Sequence, residues 1–326
     1  MATRIAGSGS HLPETCLTND DLAQRVDTSD EWIVQRTGIH TRFLLREDEF
    51  PSDMGVKAGR RAIEDAQAAA PGVDLLLVAT NFPDMICPGS APFIAQGLGL
   101  GSAPFLDLKA GCTGFVYGLA MADGLIRANL FQHILLVGME ALSRVTDWDD
   151  RRTCILFGDG AGAVLLDSAS QEGSGILGTA LFGAPDKALL LHMPGGGTRM
   201  PASAETLASR AHYLKMEGSG VFRHAVPMME KATHAALEAA DLSLSEVDWV
   251  IPHQANTRIV DSLVRRLGVA PERVIVNLDR VANTSTASIP IAFDEARRDG
   301  RIQDGDIVIM TAFGAGVTYG AVALRA

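Results

Sequence analysis

The chain has 326 residues, 47% apolar and 21% charged, and its 28 Lys and Arg against 39 Asp and Glu give a net charge of −11. That balance excludes a nucleic-acid coat or an anionic-membrane binder, which need a broad positive field, and the composition excludes a disordered chain. Length predicts about two domain-sized units.

The opening segment MATRIAGSGSHLPE has one basic residue and no apolar stretch of the kind a signal peptide needs. No apolar run approaches the roughly 20 residues that cross a bilayer, so a cytoplasmic protein is expected. Next along the chain, Thr28 with Glu31 reads as a capping box that opens a helix, on which Trp32 and Arg36, four apart, share a face. An indole beside a guanidinium suits an adenine and its phosphates.

Apolar runs of strand length follow, bounded by turn residues: 75–79, 134–137, 161–166, 249–251, 274–276 and 307–310. Such runs suit strands buried on both faces. Helix-period stretches at 114–129 and 257–267 lie between them, which gives a βαβ rhythm and an α/β class. The GDGAG at 158–162 lacks the Lys-Ser/Thr of a P-loop and the spacing of a dinucleotide site, so close core packing is its expected use. The segment from His192 to Tyr213, with PGGGTRMP inside it, reads as a flexible cover.

The two halves are similar to each other. Asp74 precedes a strand, FLDLKAG leads to Cys112-Thr-Gly and a helix, and ILLVG follows; Asp248, RVIVNLD, Asn283-Thr-Ser, a helix and IVIMTAFG repeat that order. Asp74 to Cys112 is 38 residues and Asp248 to Asn283 is 35, while Cys112 to Ile134 is 22 and Asn283 to Ile307 is 24. The reading is a duplicated chain, 1–170 and 171–326. It puts Cys112 and Asn283 at equivalent strand-to-helix turns, where open α/β sheets bind ligands and where a helix dipole is expected to lower a thiol's pKa. The four cysteines (Cys16, Cys87, Cys112, Cys154) are scattered, which indicates neither a zinc knuckle nor a disulfide framework. Cys112, His253 and Asn283, each on a turn at a strand end, form a constellation suited to covalent catalysis.

Six ordered blocks make the chain resemble the β-ketoacyl-acyl carrier protein synthase III family of the thiolase superfamily: TSDEWIVQRTGI, GCTGF, DRRTCILFGDGAGAVLL, HQANTRI, ANTSTASIPIAFDEA and AFGAGVTYG. The resemblance implies a five-layered αβαβα sandwich of two duplicated halves, as a homodimer, with acyl-CoA and malonyl-acyl carrier protein as substrates and no metal or redox cofactor. It implies Cys112 as the acyl-accepting nucleophile and His253 and Asn283 as donors to the oxygen that gains charge on decarboxylation. The backbone N–H groups of Cys112 and Ala315 would form the oxyanion hole for the acyl-cysteine. Trp32, Arg36 and Arg151 are expected at the coenzyme A, and Phe313 and Cys87 at the primer pocket, Cys87 standing where many relatives place a bulky residue that reaches across the dimer. Arg258, Arg265 and Arg266, on the polar side of the 257–267 helix, together with Arg223, are expected to receive the acidic carrier.

Two departures from the family pattern concern loops: the glycines expected at 282 and 315 are both alanine, which resists positive φ. Three alternatives stay open at this stage. They are a ketosynthase or acyltransferase of secondary metabolism with an unusual primer, a Cys-His-Asn thiol hydrolase, and a catalytically silent binding subunit.

Overall fold

The computed structural model describes residues 2–67, 72–169 and 174–326. Its first part runs β1 (Ala2–His11), β2 (Thr15–Thr18), α1 (Asn19–Ala23), α2 (Asp30–Thr37), β3 (Thr41–Leu44), α3 (Pro51–Asp65), β4 (Leu75–Ala79), α4 (Ala91–Leu98), β5 (Phe105–Leu108), α5 (Gly114–Arg127), β6 (Ile134–Ala141) and β7 (Asp159–Ala169). The second runs β8 (Gly175–Gly183), β9 (Leu191–His192), α6 (Ala204–Ala208), β10 (Lys215–Met216), α7 (Gly218–Ala239), β11 (Trp249–Pro252), α8 (Thr257–Leu267), α9 (Leu278–Val281), α10 (Ser288–Arg298), β12 (Ile307–Gly314) and β13 (Thr318–Arg325). The expected boundary at residue 170 lies outside the described residues.

Two sheets carry the fold, ordered β1-β7-β6-β4-β5 and β8-β13-β12-β11. In both, the first two pairings are antiparallel and the next is parallel. The duplication extends to side chains. Asp74 accepts hydrogen bonds from the N–H groups of Gln132 and His133 just before β6, and Asp248 accepts one from Ile307 N–H at the start of β12. The halves differ at the edge. The run at 274–276, expected as a strand, makes only a single parallel bridge from Val274 to Val250, where its counterpart β5 pairs along its length. Pro271 starts a 3-10 turn before it, and the buried Asn277 turns the chain into α9 after it, so the extended stretch between them is too short to pair as a strand.

Alternation along the central strands sorts side chains into layers. From β6, Ile134 and Leu136 join a central cluster while Leu135, Val137 and Met139 join an outer one. From β12, Val308, Met310 and Ala312 face the centre while Ile307, Ile309 and Phe313 face outward. Helices α5 and α10 fill the central layer with Phe115, Leu119, Ile289 and Phe293; α3 and α4 cover the first sheet, and α7 and α8 cover the second. The result is the expected αβαβα sandwich. The GDGAG segment serves this packing: a Cβ on Gly162 would lie 2.7 Å from Pro290 Cβ and 2.8 Å from Ile291 N, so its glycines let β7 approach α10.

Local signals hold with two corrections. Helix α8 spans the predicted Thr257–Leu267, buries Ile259, Val260, Leu263, Val264 and Leu267, and ends at Gly268 with φ 68°. Helix α2 is capped by Ser29, whose hydroxyl accepts from Trp32 N–H at 3.1 Å, rather than by Thr28. The segment expected as a flexible cover is tied down: β9 pairs with β10, and Arg210 bonds to Asp147.

Candidate active site

Two cavities meet at Cys112. The outer, of about 570 Å³, is lined by Cys112, His253, Asn283 and Phe313, with Trp32, Arg36, Arg152 and Arg258 among its walls. The inner, of about 400 Å³, is largely apolar, with Phe82, Leu142, Phe157, Leu191, Met193 and Leu214 around Cys112, Ser285 and Ala315. Trp32 and Arg36 are thus joined to the chemistry by one space, and the cover segment walls the other. Phe313, expected at the primer pocket, lines the outer cavity. Cys87 is exposed and lines neither cavity in the single chain.

Cys112 lies between β5 and α5, where two loops touch. A Cβ on Gly111 would stand 2.4 Å from Ala315 N, and one on Gly314 would stand 2.3 Å from Cys112 N, so only glycines permit the approach; Gly111 also has φ 60°. The backbone N–H groups of Cys112 and Ala315 lie near the Cys112 sulfur and favour its charged form. Both can meet negative charge that develops at this sulfur. Ala315 keeps its N–H without needing positive φ, whereas Ala282 takes φ 61° and ψ −164°, a region that glycine normally fills.

The thiol does not behave as its turn suggested. Burial pushes Cys112 up to about 11, with the nearby Glu140 adding to the rise, against hydrogen bonds from Ser285 and the two amides. A helix N-terminus does not outweigh complete desolvation, and the resting group is a thiol.

His253 and Asn283 come from the other half, each with one polar atom already engaged. Asn283 Oδ1 accepts from Ser285 N–H at 2.9 Å, which leaves its amide N–H groups to face the cavity. The Asn283 backbone is fixed by bonds from its N–H to Leu156 O and from Gly158 N–H to its own carbonyl. His253 Nδ1 is 2.8 Å from Ser288 Oγ, which also accepts from Gln254 N–H and so has its own proton to give the ring. That arrangement leaves the imidazole proton on Nε2. Burial lowers His253 to about 4, so the ring is a neutral donor.

At the mouth, two guanidiniums cover the Trp32 ring, Arg36 at 4.1 Å and Arg151 at 4.8 Å from its centroid. Arg223, Arg258 and Arg265 are exposed, while Arg266 is paired with Glu230 of α7, Nε to Oε2 at 2.7 Å. Residue spacing pointed to none of Ser285, Ser288, Glu140 or Arg152. The serines sit inside the ANTSTAS block without a distinguishing signal, and Glu140 reads as the polar end of a strand.

Comparison with known proteins bears on the family of the whole chain. Residues 106–184 match the 3-oxoacyl-[acyl-carrier-protein (ACP)] synthase III family model, and 237–326 match the model of that enzyme's C-terminal region. A β-ketoacyl-[acyl-carrier-protein] synthase III of Desulfitobacterium hafniense is 48% identical over 325 residues, covering 100% of this chain and 98% of its own. One from Symbiobacterium thermophilum is 47% identical, covering 98% of this chain and 97% of its own. The solved synthase III of Thermus thermophilus is 43% identical with a TM-score of 0.91, covering 99% of each chain. The priming β-ketosynthase of the R1128 polyketide pathway is 35% identical with a TM-score of 0.91, covering 99% of this chain and 96% of its own. With its paired sheets, its Cys, His and Asn on one cavity, and this likeness from end to end, the chain belongs to the β-ketoacyl-acyl carrier protein synthase III family.

Proposed function

We propose that this chain condenses an acyl-CoA primer with malonyl-acyl carrier protein, through an acyl group held on Cys112. The products are a 3-oxoacyl-acyl carrier protein, coenzyme A and CO₂. One observation carries the assignment of roles: Cys112, with two amides at its sulfur, opens on the same cavity as His253 and Asn283, whose inward N–H groups are the ones left unengaged. In the first half-reaction the sulfur attacks the thioester, and the Cys112 and Ala315 amides bind the oxyanion. In the second, the malonyl group loses CO₂, and the enolate oxygen is met by His253 Nε2 and the Asn283 amide. The enolate then attacks the acyl-cysteine. These steps use charge and hydrogen bonds alone, and no metal or redox cofactor enters them.

The Trp32, Arg36 and Arg151 platform is assigned to the adenine and phosphates of coenzyme A. Arg223, Arg258 and Arg265 are assigned to the carrier, with Arg266 a weaker member because of its bond to Glu230. Residues 1–170 are taken as the half that supplies the nucleophile and 171–326 as the half that supplies the donors. The homodimer is supported by the open edge of β5, where Phe105 and Leu106 are exposed, with Met85 and Ile86 also exposed nearby. A second copy paired there would bring the Cys87 segment toward its partner, where Cys87 would bound the inner cavity. The protein is placed in the cytoplasm; no helix among the described residues is long and apolar enough to cross a membrane.

Mass spectrometry of the intact protein after incubation with a panel of acyl-CoAs tests this reading. Acylation of Cys112, followed by loss of the acyl group and CO₂ release on adding malonyl-acyl carrier protein, is the expected result. Loss of the acyl group by hydrolysis without malonyl consumption would overturn it, and a preference for long or aromatic primers would favour secondary metabolism.

A further inference from the structure

Even-numbered residues of β6 face the central layer, as Ile134 and Leu136 do, so a hydrophobe is expected at 140. A glutamate stands there, fully buried. Its Oε1 accepts from Asn81 N–H at 3.0 Å, from the Asn81 amide, from Ser285 Oγ at 3.3 Å and from Thr286 Oγ1 at 3.4 Å; Oε2 accepts from Thr80 Oγ1 at 3.4 Å. Every one of these donors is uncharged. Among the described residues no cation pairs with Glu140, whose charge raises the nearby Cys112 thiol.

Ser285 connects the two. Its Oγ is 3.3 Å from Cys112 Sγ and 3.3 Å from Glu140 Oε1. To stand there Ser285 takes φ 51°, a left-handed conformation that a serine rarely adopts and that the bond from its N–H to Asn283 Oδ1 holds. A strained residue thus places one hydroxyl between a buried thiol and a buried carboxyl. Two anions so close in a dry site repel strongly, so the pair shares a proton. The other nearby base, His253, is a poor acceptor, since burial lowers it to about 4.

We propose that Glu140, acting through the Ser285 hydroxyl, takes the Cys112 proton when the thiol attacks an acyl thioester and returns it when condensation releases the sulfur. The inference rests on Cys112 being the nucleophile. In the first half-reaction the Sγ proton passes to Ser285 Oγ as the Oγ proton passes to Glu140 Oε1; the Sγ–acyl bond forms, the bond from acyl carbon to coenzyme A sulfur breaks, and the departing thiolate takes a proton from water. In the second, CO₂ leaves the malonyl group and its electron pair becomes the enolate. The new carbon–carbon bond forms, the Sγ–acyl bond breaks, and Sγ regains its proton along the same path, leaving Glu140 as the carboxylate. The negative charge that arrives on malonate ends on Glu140, so each step balances. Glu140 is a positioning residue, since it touches the reacting sulfur only through Ser285. Burial raises its carboxyl to about 7, which allows it both to accept and to give up a proton near neutrality.

The test is the pH profile of Cys112 alkylation by iodoacetamide, located by mass, in the wild type, Glu140→Gln and Ser285→Ala. With the relay, the wild-type rate rises as Glu140 ionises near pH 7 and then levels off, because the thiolate forms within the pair. Both variants should be about tenfold slower near neutrality and should climb with pH toward the thiol's own titration. A wild-type profile that climbs without levelling overturns the proposal, as does a folded variant that keeps the wild-type shape or is slower by one factor at every pH. Acyl loading from acyl-CoA is measured in parallel. Absent loading with the alkylation plateau intact counts against the proposed function alone, and loading without the plateau counts against the relay alone.

Discussion

The turn that carries Cys112 and the turn that carries Asn283 stand at matching places in two like-ordered sheets, yet one surrounds a buried thiol and the other presents N–H donors. Around Cys112, complete burial and a neighbouring carboxyl keep the sulfur protonated, against two backbone amides that favour its charged form. Around Asn283 and His253, Ser285 and Ser288 occupy Oδ1 and Nδ1 and leave N–H donors facing the cavity. The lesson is that a duplicated scaffold supplies position, while single polar neighbours decide which way protons and charge move. Those neighbours cross between the halves: Ser285, from the second, contacts the thiol of the first.

The largest break in this comparison is Cys112→Ala. It should abolish acyl loading, as read by intact mass, while malonyl-acyl carrier protein is still decarboxylated, because the donors of the second half remain. Loss of both activities in a folded variant would deny that the two turns act separately.

A second contrast is the opposite pH response of the two buried ionisable groups. Glu140 is raised from 4.5 to about 7, so the folded state holds its proton more tightly; its contribution is complete below pH 4.5 and is lost as pH rises toward 7. His253 is lowered from 6.5 to about 4, so the unfolded state binds the proton first, and stability is lost as pH falls from 6.5 toward 4. Each contribution is about 3 kcal/mol. Urea unfolding of Glu140→Gln should therefore gain about 3 kcal/mol on the wild type between acid and mildly alkaline pH, whereas His253→Gln should gain on it toward acid. Parallel curves for wild type and both variants would remove the electrostatic part of the contrast.

Smaller effects sharpen it. Neutralising Arg258 and Arg265 together should weaken use of the carrier substrate about tenfold at low salt and less at high salt, with acyl loading from coenzyme A unchanged. Steady-state rates over a salt series check this, and equal loss with both substrates would contradict it. Ala282→Gly should raise stability by less than about 1 kcal/mol, since relief at φ 61° is partly offset by a lost buried methyl; thermal unfolding reads the sign.

Much of this was legible in the sequence for physical reasons. An apolar stripe ended by Gly268 specifies α8, and buried runs at 75–79 and 307–310 specify strands with two covered faces. The six family blocks point to Cys112, His253 and Asn283. Illegible were features set by long-range contact. The run at 274–276 has strand composition, but the turns on either side leave it one bridge. Ser29 rather than Thr28 caps α2, a choice between adjacent residues that can both cap a helix, of which serine is the better. The thiol's shift has the opposite sign from the one its helix terminus suggested, because burial is a property of the whole site. Glu140 meets Asn81 and Ser285 from 59 and 145 residues away, distances at which no local pattern carries information.

The central claim, that the first turn performs acyl transfer and the second stabilises decarboxylation, is tested most directly by following both half-reactions in Asn283→Ala. The account predicts that acyl-CoA still loads Cys112 at close to the wild-type rate, while CO₂ release from malonyl-acyl carrier protein falls by about 10²-fold to 10³-fold, as for loss of one oxyanion donor. Equal loss of both half-reactions in the folded variant would contradict it.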